Sequence, residues 1–210
     1  LAKYDEWKDT DVVEIATYFL DGIMEEFIQK TNGKDSMVRS HRHAKKGRAL
    51  GLGVMGWHTF LQQKQLPFNS IASTAWTHTI FSDIRTKSEA ASRQLAIEYG
   101  EPLWCRGTGM RNTHVMAIAP TVSNSRINTC SAGIEPHPAN VYVFNGAKGT
   151  FIVRNPELEK LLISKGKNQN KHWEKILSDN GSVQNLSSDI LTEEEKEVFL
   201  TFPEINQLAL

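Results

Sequence analysis

Apolar positions recur along this chain with two different periods, and the places where the period changes mark out its elements. Val12, Ala16, Phe19, Ile23 and Phe27 follow the three-to-four spacing of one helical face, which predicts a helix over 12–30 packed on a core through that face. Asp9, Thr10 and Asp11 offer caps, Glu14 follows Asp11 at capping-box spacing, and Asn32-Gly33 ends the element. A shorter helix is predicted over 54–65 and a long one over 71–99, with Pro67 and Asn69 between them. The long helix carries an apolar face of Ala72, Ala75, Trp76, Phe81, Ile84, Ala91 and Leu95, and Gly100 and Pro102 stop it. His114–Ala119 is apolar but too short for a helix, and Pro120 closes it, so it predicts a buried strand.

Val141–Phe144 and Thr150–Val153 flank Asn145-Gly146 and Lys148-Gly149, the pattern of a hairpin. Asn155 then caps a helix with Pro156 at its first position and Gly166 near its end. A further short helix is predicted over 170–180. Thr192 and Glu195 form a capping box for a last helix that passes Pro203 and runs off the end. Strands that alternate with helices predict an α/β architecture.

Composition narrows the picture only slightly. The chain is 40% hydrophobic and 23% charged, with a formal net charge of zero, which gives no general attraction to nucleic acid or an anionic membrane. No apolar run approaches the ~20 residues of a membrane span, and no signal-peptide pattern opens the chain. Two cysteines, Cys105 and Cys130, are too few for a disulfide framework and suit a reducing, cytoplasmic setting. The chain opens on Leu1 and stops inside an apolar pattern, so both ends read as cut.

Three stretches carry candidate chemistry. Gly51, Gly53 and Gly56 match the spacing of a dinucleotide fingerprint, but Lys45, Lys46 and Arg48 stand where its strand should be. Close backbone approach between a short strand and the following helix explains these glycines better. Arg39–Arg48, with His41 and His43, reads as a solvated basic loop, and Arg106–Arg111 as a surface loop. The third stretch is Thr121, Val122, Ser123, Asn124 and Ser125, directly after the predicted strand. A strand end followed by hydroxyl residues and a helix start points backbone N–H groups and the positive dipole end outward, which favours a phosphate. A plain helix cap at Ser123 or Asn124 is the competing reading.

APTVSNS at 119–125, GIEP at 133–136, the hairpin leading to NPEL, RALGLGVMG at 48–56, PFNS at 67–70 and MRN at 110–112 together resemble the large subunit of class I ribonucleoside-diphosphate reductase. The resemblance runs from about Val12 to the end. It implies that the chain is part, the second half, of a ten-stranded α/β barrel, with residues 1–210 as a C-terminal portion incomplete at both ends. It also implies that Thr121–Ser125 hold the substrate diphosphate, with Asn124 standing where relatives often have a hydroxyl residue. The family's radical cysteine, redox thiols and tyrosine pair fall outside the chain, so no catalytic residue and no metal ligand is assigned here. Cys105, Cys130 and Glu135 are taken as structural.

What the resemblance implies for the whole enzyme is reduction of ribonucleoside diphosphates to deoxyribonucleotides for DNA synthesis. Its partners would be the rest of the large subunit and a small subunit with a radical-generating dimetal centre. A thioredoxin- or glutaredoxin-type reductant would complete it, and this chain itself would hold no cofactor. Two alternatives remain open at this stage: the adenosylcobalamin-dependent reductase class, and a non-catalytic nucleotide-phosphate-binding module.

Overall fold

A computed structural model describes residues 1–206 and Leu208. Helices and strands are mixed, and the chain divides into two compact units. One comprises Tyr4–Gly53 and Thr77–Ala119; the other comprises Leu1–Lys3, Val54–Trp76 and Pro120–Leu210.

The first unit is built from α1 (Tyr4–Trp7), α2 (Val12–Thr31), α3 (Val38–Gly47) and most of the long helix α5 (Ile71–Tyr99). Helix α2 has the predicted length but presents the opposite face. Val13, Thr17, Asp21 and Ile28 are buried, whereas Val12, Ile15, Phe19 and Ile23 face solvent, Phe19 at 67% exposure. The reason is a charge. Arg48 and Arg111, both buried, converge on Asp21, and two interior guanidiniums require a carboxylate on the inward face. Asp11 makes no side-chain cap, so the expected capping box is not formed there.

The basic run also departs from expectation. Arg39–Gly47 lies in α3, a helix and not a loop, and Arg48 follows it in the left-handed conformation that lets the chain turn. The Arg48 guanidinium donates through Nε and Nη2 to the two Asp21 carboxylate oxygens at 3.0 and 2.9 Å, and through Nη1 to Glu25 at 2.7 Å. Asn112 donates to Asp21 Oδ1 at 2.8 Å and accepts from Ser92 Oγ at 2.7 Å. Thus RALGLG and MRN are knitted together through α2.

Past Arg48 the backbone runs parallel to the segment after Asn112. Leu50 N–H donates to the His114 carbonyl at 2.8 Å, Leu52 N–H to Val115 at 3.0 Å, and Ala117 N–H to Leu52 at 3.1 Å. Two residues on one side match one on the other, a bulge that leaves Leu52–Met116 as the regular bridge. Gly53 is needed for this approach, because a Cβ there would lie 2.4 Å from the Ala117 carbonyl oxygen. The strand read over 114–119 is thus reduced to that isolated bridge, and the segment is mostly not buried. Val115 is covered, while Ala117, Ile118 and Ala119 are exposed, since the described residues supply a pairing strand on one side.

The second unit contains α4 (Trp57–Gln63), α6 (Val122–Ile127), α7 (Pro156–Ser164), α8 (Asn170–Ser178) and α9 (Glu193–Val198). The hairpin pairs β1 (Val141–Gly146) with β2 (Gly149–Arg154) in antiparallel register, Val141 opposite Arg154 and Gly146 opposite Gly149. Leu158, Leu162, Trp173, Ile176, Val183, Leu191 and Phe199 form its core. Asn155 caps α7 by accepting from Glu157 N–H at 3.1 Å, and Thr192 and Glu195 make the predicted capping box.

Helix α9 stops much earlier than its sequence suggests. Phe199 turns into the core with no exposed surface, and Phe202 N–H donates to the His137 carbonyl at 2.9 Å. Glu204 then accepts from Thr201 N–H and Oγ1 at 2.7 and 2.6 Å, which fixes a turn around Pro203. The end of the expected helix, at 207, 209 and 210, lies outside the described residues.

Candidate functional site

Helix α6 starts directly after the 114–119 segment, with Thr121 at its N-cap position. The Thr121 side chain caps nothing in α6. Instead its Oγ1 accepts the Gly133 N–H at 2.8 Å, joining the start of α6 to the GIEP turn. A hydroxyl that already accepts a backbone proton has its own proton left to donate. Val122, Ser123 and Asn124 are exposed, and the first N–H groups of any helix have no carbonyl four residues back to receive them.

Ser125 differs from its neighbours. It is buried, and its Oγ donates back to the Val122 carbonyl at 3.0 Å, as serines inside a helical turn do. The structure therefore gathers all five predicted residues on one turn but aims the Ser125 hydroxyl inward. Beside them the Arg126 guanidinium lies 4.4 Å from the centre of the Phe144 ring on the hairpin.

Behind this turn lies an arrangement of groups that the sequence did not disclose. Gly56 N–H donates to the Ser131 carbonyl at 2.8 Å and Trp57 N–H to the Gly133 carbonyl at 3.4 Å. Thr59 and Ser131 bond twice, Ser131 N–H to Thr59 Oγ1 at 2.8 Å and Thr59 N–H to Ser131 Oγ at 3.3 Å. The N-terminus of α4 is thus filled by the chain's own 131–133 turn, which is a physical reason why the glycine run before it holds no dinucleotide.

From Thr59 the network continues inward, and the proton of one ring can be assigned. His137 N–H donates to His58 Nδ1 at 2.9 Å, so Nδ1 is an acceptor and the His58 proton sits on Nε2. Gln62 Nε2 lies 3.3 Å from that Nε2. Thr59 Oγ1, which accepts from Ser131 N–H, also lies in hydrogen-bond contact with His137 Nε2 at 3.2 Å. Burial pushes His58 down to about 3, with the neighbouring His137 ring adding to the effect and a backbone bond at Val198 acting the other way. Burial takes His137 down to about 4. Both rings are neutral.

The polar chain extends on. Gln62 Oε1 accepts from Asn155 Nδ2 at 3.0 Å, Asn140 Oδ1 accepts from the same group at 2.9 Å, and Asn140 Nδ2 donates to the carbonyls of Gly181 and Phe199. The one signal for it in the sequence is His58 and Gln62, two polar residues four apart on a short helix beside Trp57, Phe60 and Leu61, both without exposed surface.

The remaining candidates have other roles. Arg111 is buried, donates to Asp21 and to the carbonyls of Tyr99 and Gly100, and stacks 5.2 Å from the Tyr99 ring; Arg106 is exposed. His41 meets Thr31 Oγ1 at 3.1 Å, and His43 packs edge-on against Trp104. Cys105 is buried and Cys130 partly so, and burial raises both thiols. A raised thiol is less thiolate and less reactive. Glu135 is exposed, with its N–H on the Ala132 carbonyl in a turn. Among the described residues no group of three or more His, Cys, Asp or Glu converges as a metal site, and no helix is long and apolar enough to cross a membrane.

Comparison with known proteins adds three findings. The family model described as "Ribonucleotide reductase, barrel domain" matches residues 2–104 and 105–210. The chain superimposes with a TM-score of 0.91 on the solved structure of the Actinobacillus ureae class Id ribonucleotide reductase alpha subunit, at 46% identity, covering 100% of this chain and 38% of that one. It is 38% identical to the ribonucleoside-diphosphate reductase large subunit of Invertebrate iridescent virus 6, over 99% of this chain and 22% of that protein. It is also 35% identical to a protein of Frog virus 3 named as a putative ribonucleoside-diphosphate reductase large subunit, over 100% and 37% respectively. The chain therefore spans less than two fifths of the length of these relatives.

Proposed function

Since this chain belongs to the ribonucleotide reductase barrel family, we propose that it supplies the substrate-diphosphate seat of a class I ribonucleoside-diphosphate reductase large subunit. The whole enzyme replaces the ribose 2′-hydroxyl with hydrogen, releasing water and drawing two electrons from a dithiol, and so provides deoxyribonucleotides for DNA synthesis. The radical comes from a dimetal small subunit, and a thioredoxin- or glutaredoxin-type protein restores the dithiol. These groups are contributed by other parts of the enzyme. The role of this chain is to hold one end of the substrate still, which converts binding into orientation at the ribose.

The observation that carries this reading is the turn Thr121–Ser125. Thr121 is fixed by Gly133 N–H so that its proton is available, Ser123 and Asn124 stand exposed beside it, and the first N–H groups of a helix have no carbonyl partner within it. The 46% identity to a class Id alpha subunit supports a class I enzyme over the adenosylcobalamin-dependent class. The seat belongs to the cytoplasmic, nucleotide-binding side of metabolism.

Ser123 is the side chain to test. In the complete subunit, Ser123→Ala should weaken CDP binding about 10-fold, the loss of one hydrogen bond to a charged group. Ser123→Pro should do worse, because it also deletes an N–H. Cytidine affinity should stay the same in both. Equal losses for CDP and cytidine, measured by isothermal titration, would overturn the phosphate assignment.

A further inference from the structure

We propose that Thr59 is a positioning residue for the diphosphate seat, acting through Ser131 and Gly133 without touching substrate. The proposal rests on the reading of Thr121–Ser125 given above and adds a residue remote from it, on a different helix. Helix α6 has only six residues, so its own hydrogen bonds cannot hold its first turn firmly. Something outside the helix has to fix it, and the geometry points to the 131–133 turn.

That turn is held on one side and holds on the other. Its Ser131 N–H and carbonyl and its Gly133 carbonyl are bound by Thr59 Oγ1, Gly56 N–H and Trp57 N–H. Its Gly133 N–H is then free to reach Thr121 Oγ1 at 2.8 Å. Cys130 N–H on the Ser125 carbonyl at 3.0 Å adds a second link between the same two segments. Displacing Ser131 therefore displaces the group that orients the Thr121 hydroxyl.

Thr59 is the residue on α4 that fixes Ser131 through both its side chain and its backbone. Its hydroxyl is also held in place by a second contact, His137 Nε2 at 3.2 Å from Oγ1. Threonine suits this position for a further reason. Its branched Cβ restricts rotation about χ1, so the Oγ1 acceptor is preset toward Ser131.

In the seat proposed above, the group that the Thr121 hydroxyl would meet is a phosphate. A displaced 131–133 turn should thus weaken binding of a nucleoside diphosphate and spare a nucleoside. A residue that only stabilised the fold would affect both alike.

The test uses the complete large subunit with CDP, inorganic pyrophosphate and cytidine as probes. Thr59→Val keeps the branched shape and removes the acceptor. It should weaken CDP and pyrophosphate about 10-fold, the usual effect of one buried hydrogen bond, and leave cytidine unchanged. Thr59→Ser should restore most of the loss, and KM for the diphosphate should move while kcat holds. Should Thr59→Val fail to fold, Ser131→Ala, which removes only the weaker 3.3 Å bond, should show a smaller loss with the same selectivity. Equal losses for CDP and cytidine, or no loss for either, would overturn the positioning role. Ser123→Ala separates the two readings: if it weakens CDP and Thr59→Val does not, the seat stands and the positioning role falls. If Ser123→Ala leaves CDP unchanged, both fall together.

Discussion

The two units solve the same problem, a polar cluster inside a folded chain, with opposite chemistry. In the unit containing α2, Asp21 is surrounded by Arg48, Arg111 and Asn112, so the cluster is ionic. In the unit containing α4, Thr59, His58, His137, Gln62, Asn155 and Asn140 are joined without any net charge. Burial alone would raise the Asp21 carboxyl, but the hydrogen bonds from Arg48, Asn112 and Arg111 outweigh it and hold the group below its usual range. For the histidines burial prevails: the backbone bond at Val198 only partly offsets it for His58, nothing offsets it for His137, and both stay uncharged. An ionic cluster tolerates burial through mutual attraction and fails badly when one member is lost. A neutral one fails group by group.

The largest expected effect follows from that contrast. Asp21→Ala should cost about 3–5 kcal/mol, because it removes the buried carboxylate shared by two interior guanidiniums and leaves them only the half-exposed Glu25. Urea denaturation checks it, and a loss below about 1 kcal/mol would mean that the arginines regain water and the cluster is not truly interior.

Asn140→Ala should be milder, about 2 kcal/mol, since it takes the side-chain donor from the Phe199 carbonyl and an acceptor from Asn155 but strands no charge, and the backbone N–H of residue 140 still reaches the Gly181 carbonyl. The same denaturation series ranks the two variants. If Asn140→Ala proves the more damaging, the contrast between ionic and neutral clusters is wrong.

The third effect, similar in size at pH 5 and vanishing at pH 7, is reversible and separates the clusters by pH. His58 has an ordinary value of 6.5 and a folded value of about 3, so between those limits the unfolded chain binds the extra proton. Stability from this group is therefore complete above 6.5 and falls as pH drops toward 3, by about 2 kcal/mol at pH 5. Asp21 has the opposite logic. Its folded value lies below its ordinary 3.8, so its contribution persists until pH falls below that figure. Thermal melts at pH 7 and pH 5 should show a drop that shrinks in His58→Gln. An unchanged drop in that variant would place the sensitivity elsewhere.

The contrast also shows what a sequence can disclose. Both capped helices of the second unit were legible, because Asn155-Pro156 and Thr192-x-x-Glu195 encode their geometry within a few residues. The hairpin and the close approach at Gly53 were legible for the same reason. Helix α2 was located correctly but turned the wrong way. Its apolar stripe gives the period of a helix, while the covered face depends on Arg48 and Arg111, the latter 90 positions from Asp21. Arg39–Gly47 read as a loop because hydrophilic composition was weighed above helix-forming residues such as Arg, Lys and Ala.

Within the candidate seat, all five residues of 121–125 fall on one turn, as local order dictates. The inward aim of Ser125 and the role of Thr59 were not readable. Thr59 and Ser131 are 72 positions apart, and nothing near either one announces the other.

The assigned protons of the neutral cluster have a consequence for charge transport. A proton moving by successive hops needs every link to be able to both receive and release one. Between the two imidazoles the link is the His137 backbone N–H, an amide that does not give up its proton under ordinary conditions. The rings are adjacent, yet no relay can run from one to the other.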